Sequence, residues 1–172
     1  MNLNHIKPII VFLLGMLTVL GFAPFYFFPV PVLTFAVLLG FCYHSRTPRQ
    51  AAWWGFCFGM GLFSAGVTWI YVSLHDFGAM PVHTAVIALI VLCAYLSLFP
   101  ALSSWLLIRL RSRSLFLWAL VAAAAWMMCE WLRGTLFTGF PWLTVGYSQA
   151  PHSPLVGFAP LVGVYGISFL LV

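Results

Sequence analysis

The chain has 172 residues, of which 64% are hydrophobic and only 5% charged, and its formal net charge is +5. Soluble domains carry about 25% charged residues, so this composition excludes a soluble protein and predicts an integral helical membrane protein. The basic residues are few and lie at the ends of apolar runs, which argues against nucleic-acid binding.

The first apolar segments predict a short helical hairpin. Apolar runs at 9–23 and 32–43 flank a stretch with three prolines among aromatic residues, and proline breaks helices. A single helix across both runs would be about 50 Å long at about 1.5 Å per residue. That length exceeds a hydrocarbon core of about 30 Å. Two short helices joined by an aromatic turn are therefore predicted.

Later apolar runs complete the predicted fold, an all-α polytopic bundle of about six spans or part-spans. These runs lie at 51–71, 82–108, 115–131 and 157–172. The last run stops without a closing charge, which suggests a truncated span. Gly55 and Gly59 form a GxxxG pair, a pattern that lets helix backbones approach closely in lipid. Packing within the chain is favoured over dimerisation through this pair.

Basic residues predict the orientation. Loops 44–49 and 109–113 are separated by two spans, so they lie on one side, which the positive-inside rule makes cytoplasmic. Lys7 joins them if the hairpin forms, and the N-terminus is then cytoplasmic. The loop at 132–156 falls on the opposite side and carries Arg133, the one basic residue there.

The strongest candidate site is the segment Glu130–Gln149, EWLRGTLFTGFPWLTVGYSQ, which mixes charge, glycine, proline and aromatic residues between apolar runs. Glu130 and Arg133 share a helix face and could form an ion pair that fixes the helix end. Alternatively, the planar guanidinium of Arg133 could bind a lipid phosphate. The two interpretations are compatible. Each aromatic residue taken alone is typical of an interfacial belt.

Other reactive side chains do not form a convincing site. His75 and Asp76 are adjacent, and adjacent residues rarely face each other, so a role in the loop is favoured. The cysteines show no metal-binding spacing and are interpreted as buried thiols. No metal or cofactor is predicted. The cysteines are Cys42, Cys57, Cys93 and Cys129.

Several stretches resemble the apolipoprotein N-acyltransferases of the bacterial inner membrane. The resemblance covers essentially the whole chain, and TGFPW followed after three residues by GYSQ is its most specific part. The matching stretches are GFAPF, GFCFGMGLFSAGVTWIYVSL, DFGAMP, AYLSLFPAL, the Glu130–Gln149 segment and FAPLVGVYGISFLL.

The resemblance implies an activity and a location. The family transfers an acyl chain from a membrane phospholipid to the amino group of an apolipoprotein's N-terminal diacylglyceryl-cysteine, through a cysteine thioester. Its Glu-Lys-Cys catalytic set belongs to a nitrilase-like domain on the periplasmic side, inserted after the spans seen here. The expected location is thus the inner membrane, with the 132–156 loop periplasmic.

This sequence departs from the family because it lacks the nitrilase-like domain. Its only lysine is Lys7 and its only glutamate is Glu130, so no catalytic residue is assigned. The chain is expected to be a fragment or truncated product that is inactive alone. The predicted substrate-binding residues form the floor of the site, with Arg133 holding a phosphate. The full set is Arg133, Glu130, Trp142, Tyr147, Tyr71 and Trp69.

Two alternatives remain open. A non-catalytic membrane scaffold or remnant is consistent with the missing catalytic set. A small transporter is less favoured, because the third and fourth spans offer few polar groups to a substrate.

Overall fold

The computed structural model describes residues 3–172, which form helices and irregular segments with no strand over that range. This confirms the prediction of an all-α membrane bundle. The α-helices are α1 (Leu3–Thr18), α2 (Pro29–Tyr43), α3 (Pro48–Gly66), α4 (Trp69–Val72), α5 (Val82–Arg109), α6 (Leu115–Thr135) and α7 (Ala159–Leu171).

Three stretches within residues 3–172 are long and apolar enough to cross a membrane: Val82–Arg109, Leu115–Thr138 and Pro154–Leu171. A fourth crossing results if Pro48–Gly66 and Trp69–Phe77, which are bent by 52°, count as one broken span. The helices of the N-terminal hairpin are apolar but shorter.

The N-terminal hairpin follows from the placement of its prolines. Pro29 occupies the start of α2, where a missing N–H costs nothing because the first helical donors lack partners within the helix. The hydroxyls of Thr18 and Thr34 lie 2.8 Å apart in the buried interface between α1 and α2. The predicted hairpin is confirmed, although α2 begins at Pro29 rather than at residue 32.

The α3 helix lies between α1 and α5, and its glycines allow close contact with both. A Cβ atom built on Gly61 would lie 1.9 Å from the carbonyl oxygen of Phe12 in α1. One built on Gly55 would lie 2.3 Å from the carbonyl oxygen of Pro100 in α5. The GxxxG pair therefore serves close backbone packing inside this chain, as small residues do in membrane interfaces.

The third helix breaks before the end of its apolar run. It ends at Gly66 rather than at Tyr71, and the chain then bends into α4 and a π-helical turn at Ser73–Phe77. The last carbonyls of a helix have no partner within it. The break therefore leaves the Gly66 carbonyl free for a partner from elsewhere, and it turns Trp69 away from the line of α3.

The bundle has two chemically different ends. At the basic end lie the loops 44–49 and 109–113, with most of the chain's cations. At the other end, here called the loop end, α6 runs into the 136–158 segment and α3 breaks.

Candidate functional site

The Glu130–Gln149 segment folds as the end of α6 followed by tight turns. Two 3-10 turns, Leu136–Thr138 and Val145–Gln149, flank an irregular stretch with a turn at Trp142 and Leu143. The amide of Phe140 donates to the Arg133 carbonyl (2.8 Å), which folds the chain back over the helix end. Leu143 has φ 57°, a left-handed conformation that few non-glycine residues adopt. The segment thus has a defined shape rather than being a simple connection.

Arg133 lies beneath this segment and is only 3% exposed. Its Nη1 donates to the carbonyl of Phe140 (3.0 Å) and to that of Trp142. Nη2 lies 3.5 Å from the hydroxyl of Thr144. The planar fork of donors therefore binds two backbone carbonyls on the inner side of the 140–145 loop.

Glu130 holds the other edge of the same loop. Glu130 is only 4% exposed, and its Oε1 accepts a hydrogen bond from the Val145 amide at 2.8 Å. The same oxygen lies 3.9 Å from Arg133 Nη2, so the predicted pairing on one helix face is present. Together the two charges bind backbone groups at both ends of the 140–145 loop and fix its position over α6.

Two tryptophans form the outer contact of this loop with the broken helix. The Trp142 indole N–H donates to the Gly66 carbonyl at 3.3 Å. The rings of Trp142 and Trp69 lie 5.2 Å apart between centroids, at an angle of 55°. The helix break therefore supplies both an acceptor and an aromatic partner for Trp142.

These residues border a cavity of about 790 Å³ at the loop end, here called the aromatic groove. Three parts of the chain form its walls: the turn after α1, the break after α3, and the Pro141–Pro151 stretch. Its lining consists of Val19, Phe22, Ala23, Tyr26, Gly66, Trp69, Pro141, Trp142, Leu143, Tyr147, Ala150 and Pro151.

The six predicted site residues separate into three groups. Trp69, Trp142 and Tyr147 line the aromatic groove. Glu130 and Arg133 do not line the groove. They line a small cavity inside the bundle, and Leu143 separates that cavity from the groove by lining both. The sixth residue, Tyr71, is not part of the groove lining; its ring lies 5.4 Å from that of His75, whose Nδ1 is 2.8 Å from the Met80 carbonyl oxygen.

Two buried residues that connect the Pro141–Pro151 stretch to other parts of the chain were not predicted from the sequence. Gln149 is 1% exposed, and its amide donates to the Phe28 carbonyl at 3.2 Å, which connects the segment to the N-terminal hairpin. Ser168 of α7 accepts the Gly146 amide at 2.9 Å. The amide side chain of Gln149 between two apolar runs was the available signal, but nothing local in the sequence indicates its partner.

A second, small cavity lies inside the bundle between Cys129, Glu130 and Arg133. Its volume is about 10 Å³, close to the minimum for one water molecule. Cys129 is 3% exposed. Cys129 also borders an apolar cavity of about 330 Å³ between α5 and α6. Because its thiol is buried, Cys129 lacks the access that a nucleophile needs.

Comparison with known proteins gives a consistent result. The family model described as the apolipoprotein N-acyltransferase N-terminal domain matches residues 14–172. A protein of Nitrosomonas europaea named apolipoprotein N-acyltransferase is 62% identical over 168 residues, which cover 98% of this chain and 34% of that protein. Its namesake from Ralstonia nicotianae is 46% identical over 90% of this chain and 30% of its own length. The chain thus spans about a third of the length of these relatives.

Proposed function

The chain belongs to the apolipoprotein N-acyltransferase family, and we propose that it forms the membrane bundle and the donor-lipid floor of a phospholipid:apolipoprotein N-acyltransferase. In this reaction a cysteine thiolate attacks an ester carbonyl of the phospholipid, and a thioester forms as the lysophospholipid leaves. The apolipoprotein's N-terminal amino group then attacks the thioester, so that an amide forms and the thiol is released.

The observation that supports this role is the aromatic groove. Its volume of about 790 Å³ lies in the range of small-molecule sites, roughly 300–1,000 Å³. Tryptophan and tyrosine at the rim are typical of the membrane interface, where a lipid ester lies. Phe25 and Phe27, in the turn that bounds the groove, are 51% and 59% exposed. A donor lipid in the bilayer therefore reaches the groove across an apolar surface.

We propose that the chain is part of a longer gene product, because it covers only about a third of the length of its relatives, and that the nucleophile lies in a nitrilase-like domain of that complete gene product. All four cysteines of the chain are buried, and the most exposed of them, Cys57, is only 8% accessible. A cysteine nucleophile needs access and a nearby base. This chain alone is accordingly expected to show no acyl transfer.

The orientation is proposed from the distribution of charge. The loops 44–49 and 109–113 lie together at the basic end, which supports a cytoplasmic location for that end. The loop end, with residues 132–156, then faces the periplasm, and the protein is a multi-pass component of the inner membrane. The aromatic groove lies on the side where the apolipoprotein acceptor is expected.

Arg133 and Glu130 are proposed to act as positioning residues. Phosphate binding by Arg133 stays a prediction, because a phosphate would have to displace contacts to the Phe140 and Trp142 carbonyls that Arg133 now makes. The pair instead holds the backbone of Trp142 at the groove rim. A role for Tyr71 in binding substrate also stays a prediction.

Replacing Trp142 with alanine is expected to lower kcat/KM for the phospholipid donor about tenfold or more, because it removes part of the groove wall. It also removes the contacts to Trp69 and Gly66 that hold the shape of the groove, each worth about 0.5–1.5 kcal/mol. Trp142→Phe keeps the ring and should lose less. The assay follows acyl-enzyme formation by the complete gene product. Trp53→Ala serves as control because Trp53 is 52% exposed and lies outside the groove lining. Equal losses in Trp142→Ala and Trp53→Ala would contradict the role of the groove.

A further inference from the structure

A second cleft lies at the basic end of the bundle, far from the aromatic groove. It lies between the end of α2, the loop after α5 and the first turn of α6, and its volume is about 340 Å³. The lining residues combine two guanidinium groups with aromatic and apolar side chains. They are Tyr43, Arg111, Ser112, Arg113, Leu115 and Trp118.

An aromatic platform holds one of the guanidinium groups. The Cζ atom of Arg111 lies 4.8 Å from the centroid of the Tyr43 ring. The Tyr43 ring packs edge-on against Trp118, with centroids 5.3 Å apart at 86°. Trp118 is only 6% exposed, so the core of the bundle fixes this platform. Stacking on the ring face leaves the N–H edge of Arg111 available for an anion.

The chain supplies no counter-charge here. Its acids are Asp76 and Glu130 alone; Glu130 pairs with Arg133, and Asp76 belongs to the π-helical turn at the loop end. Across residues 3–172, no carboxylate lies within 4.0 Å of Arg111 or Arg113, and no hydrogen bond engages either guanidinium. The anion that balances these charges must therefore come from outside the chain.

The other side of the cleft is suited to lipid. Leu115 lines the cleft and is 70% exposed, and the neighbouring Phe116 is 71% exposed. Both begin α6, a helix of 21 residues whose N-terminal dipole favours an anion. A ligand that fits has a phosphate at one end and hydrocarbon chains at the other.

We propose that this cleft binds the headgroup phosphate of an anionic phospholipid, with the acyl chains lying along Leu115 and Phe116. Arg111 and Arg113 contact the phosphate, and the Tyr43–Trp118 platform holds Arg111 in place. The site lies at the opposite end of the bundle from the aromatic groove and holds a bound lipid, not an acyl donor. It therefore stands independently of the proposed acyltransferase function.

The test measures phosphatidylglycerol bound to the complete gene product after delipidation, by native mass spectrometry in detergent. Arg111→Gln with Arg113→Gln is expected to lower its affinity at least tenfold, because the double variant removes two charge-assisted contacts to the phosphate. Arg46→Gln with Arg49→Gln is the control, since it removes the same charge from the same end of the bundle and leaves the cleft intact. This control should lower the affinity clearly less than the cleft variant does, because neither Arg46 nor Arg49 lines the cleft.

Two results would overturn the proposal. Equal loss of phosphatidylglycerol in both double variants would show general surface attraction rather than a site. Release of the lipid by millimolar inorganic phosphate would show a free-anion site to which the acyl chains contribute nothing. Unchanged melting temperature in both variants excludes unfolding as the cause of any loss.

Discussion

Replacing Arg133 with alanine is expected to destabilise the protein by about 3–5 kcal/mol, because the variant leaves a buried carboxylate without its cationic partner. Glu130 is 4% exposed and has no second cation within 4.0 Å among residues 3–172. The carbonyls of Phe140 and Trp142 also lose their donor. The measurement is thermal unfolding in detergent, and Arg49→Ala, at an exposed position, is the matched control.

A double variant distinguishes two causes of this destabilisation: an unpaired buried charge at Glu130, and the lost contacts between Arg133 and the 140–145 loop. Glu130→Gln combined with Arg133→Met removes both charges and keeps similar volumes, so it should be clearly more stable than Arg133→Ala. If Arg133→Ala unfolds at the same temperature as Arg49→Ala, the guanidinium does not hold the 140–145 loop. The positioning role proposed for the pair would then be wrong.

Replacing Gly61 with alanine is expected to cost about 3 kcal/mol or more, because overpacking against a backbone forces helices apart. The added Cβ would lie 1.9 Å from the Phe12 carbonyl oxygen and 3.0 Å from the Met16 amide nitrogen. Neither backbone atom can move without shifting α1 from α3. Thermal unfolding of the variant measures this cost.

Gly40 supplies the control for this substitution. It is also a helical glycine, but a Cβ built there meets no atom within 4 Å. Gly40→Ala should therefore be neutral or stabilising by up to about 1 kcal/mol through helix propensity. Similar melting temperatures for Gly61→Ala and Gly40→Ala would contradict the close packing of α1 on α3.

Local chemistry made much of the fold predictable. Three prolines between two apolar runs indicated the hairpin, because proline fixes where a helix starts and stops. The break after Gly66 was not predictable in the same way. Residues 51–71 carry no charge and are mostly apolar, so hydropathy does not locate a bend. Contacts with remote residues accompany it: a Cβ on Gly66 would lie 2.3 Å from Leu143, and Trp142 binds the Gly66 carbonyl.

The candidate site was predictable only where its contacts are local. Glu130 and Arg133 lie three residues apart on one helix, so the spacing alone indicated their pairing. The aromatic groove combines three segments that are distant in sequence. The bond between Gln149 and the Phe28 carbonyl joins residues 121 positions apart. A contact between residues so far apart in the chain depends on the tertiary structure. The periodicity of a single sequence carries no information about it.

The assignment of the aromatic groove to the donor acyl chain is tested most directly by a substitution that fills the groove. The measurement is which donor phospholipids still react. Ala23 lines the groove, whereas Ala36 is exposed on α2 outside it. Acyl-enzyme formation by the complete gene product would be followed with phospholipids of graded acyl length, for Ala23→Phe and Ala36→Phe. The expected result is that Ala23→Phe shifts the preference towards shorter chains while Ala36→Phe retains the parent profile. An unchanged chain-length profile in Ala23→Phe would contradict the assignment of the groove to the donor acyl chain.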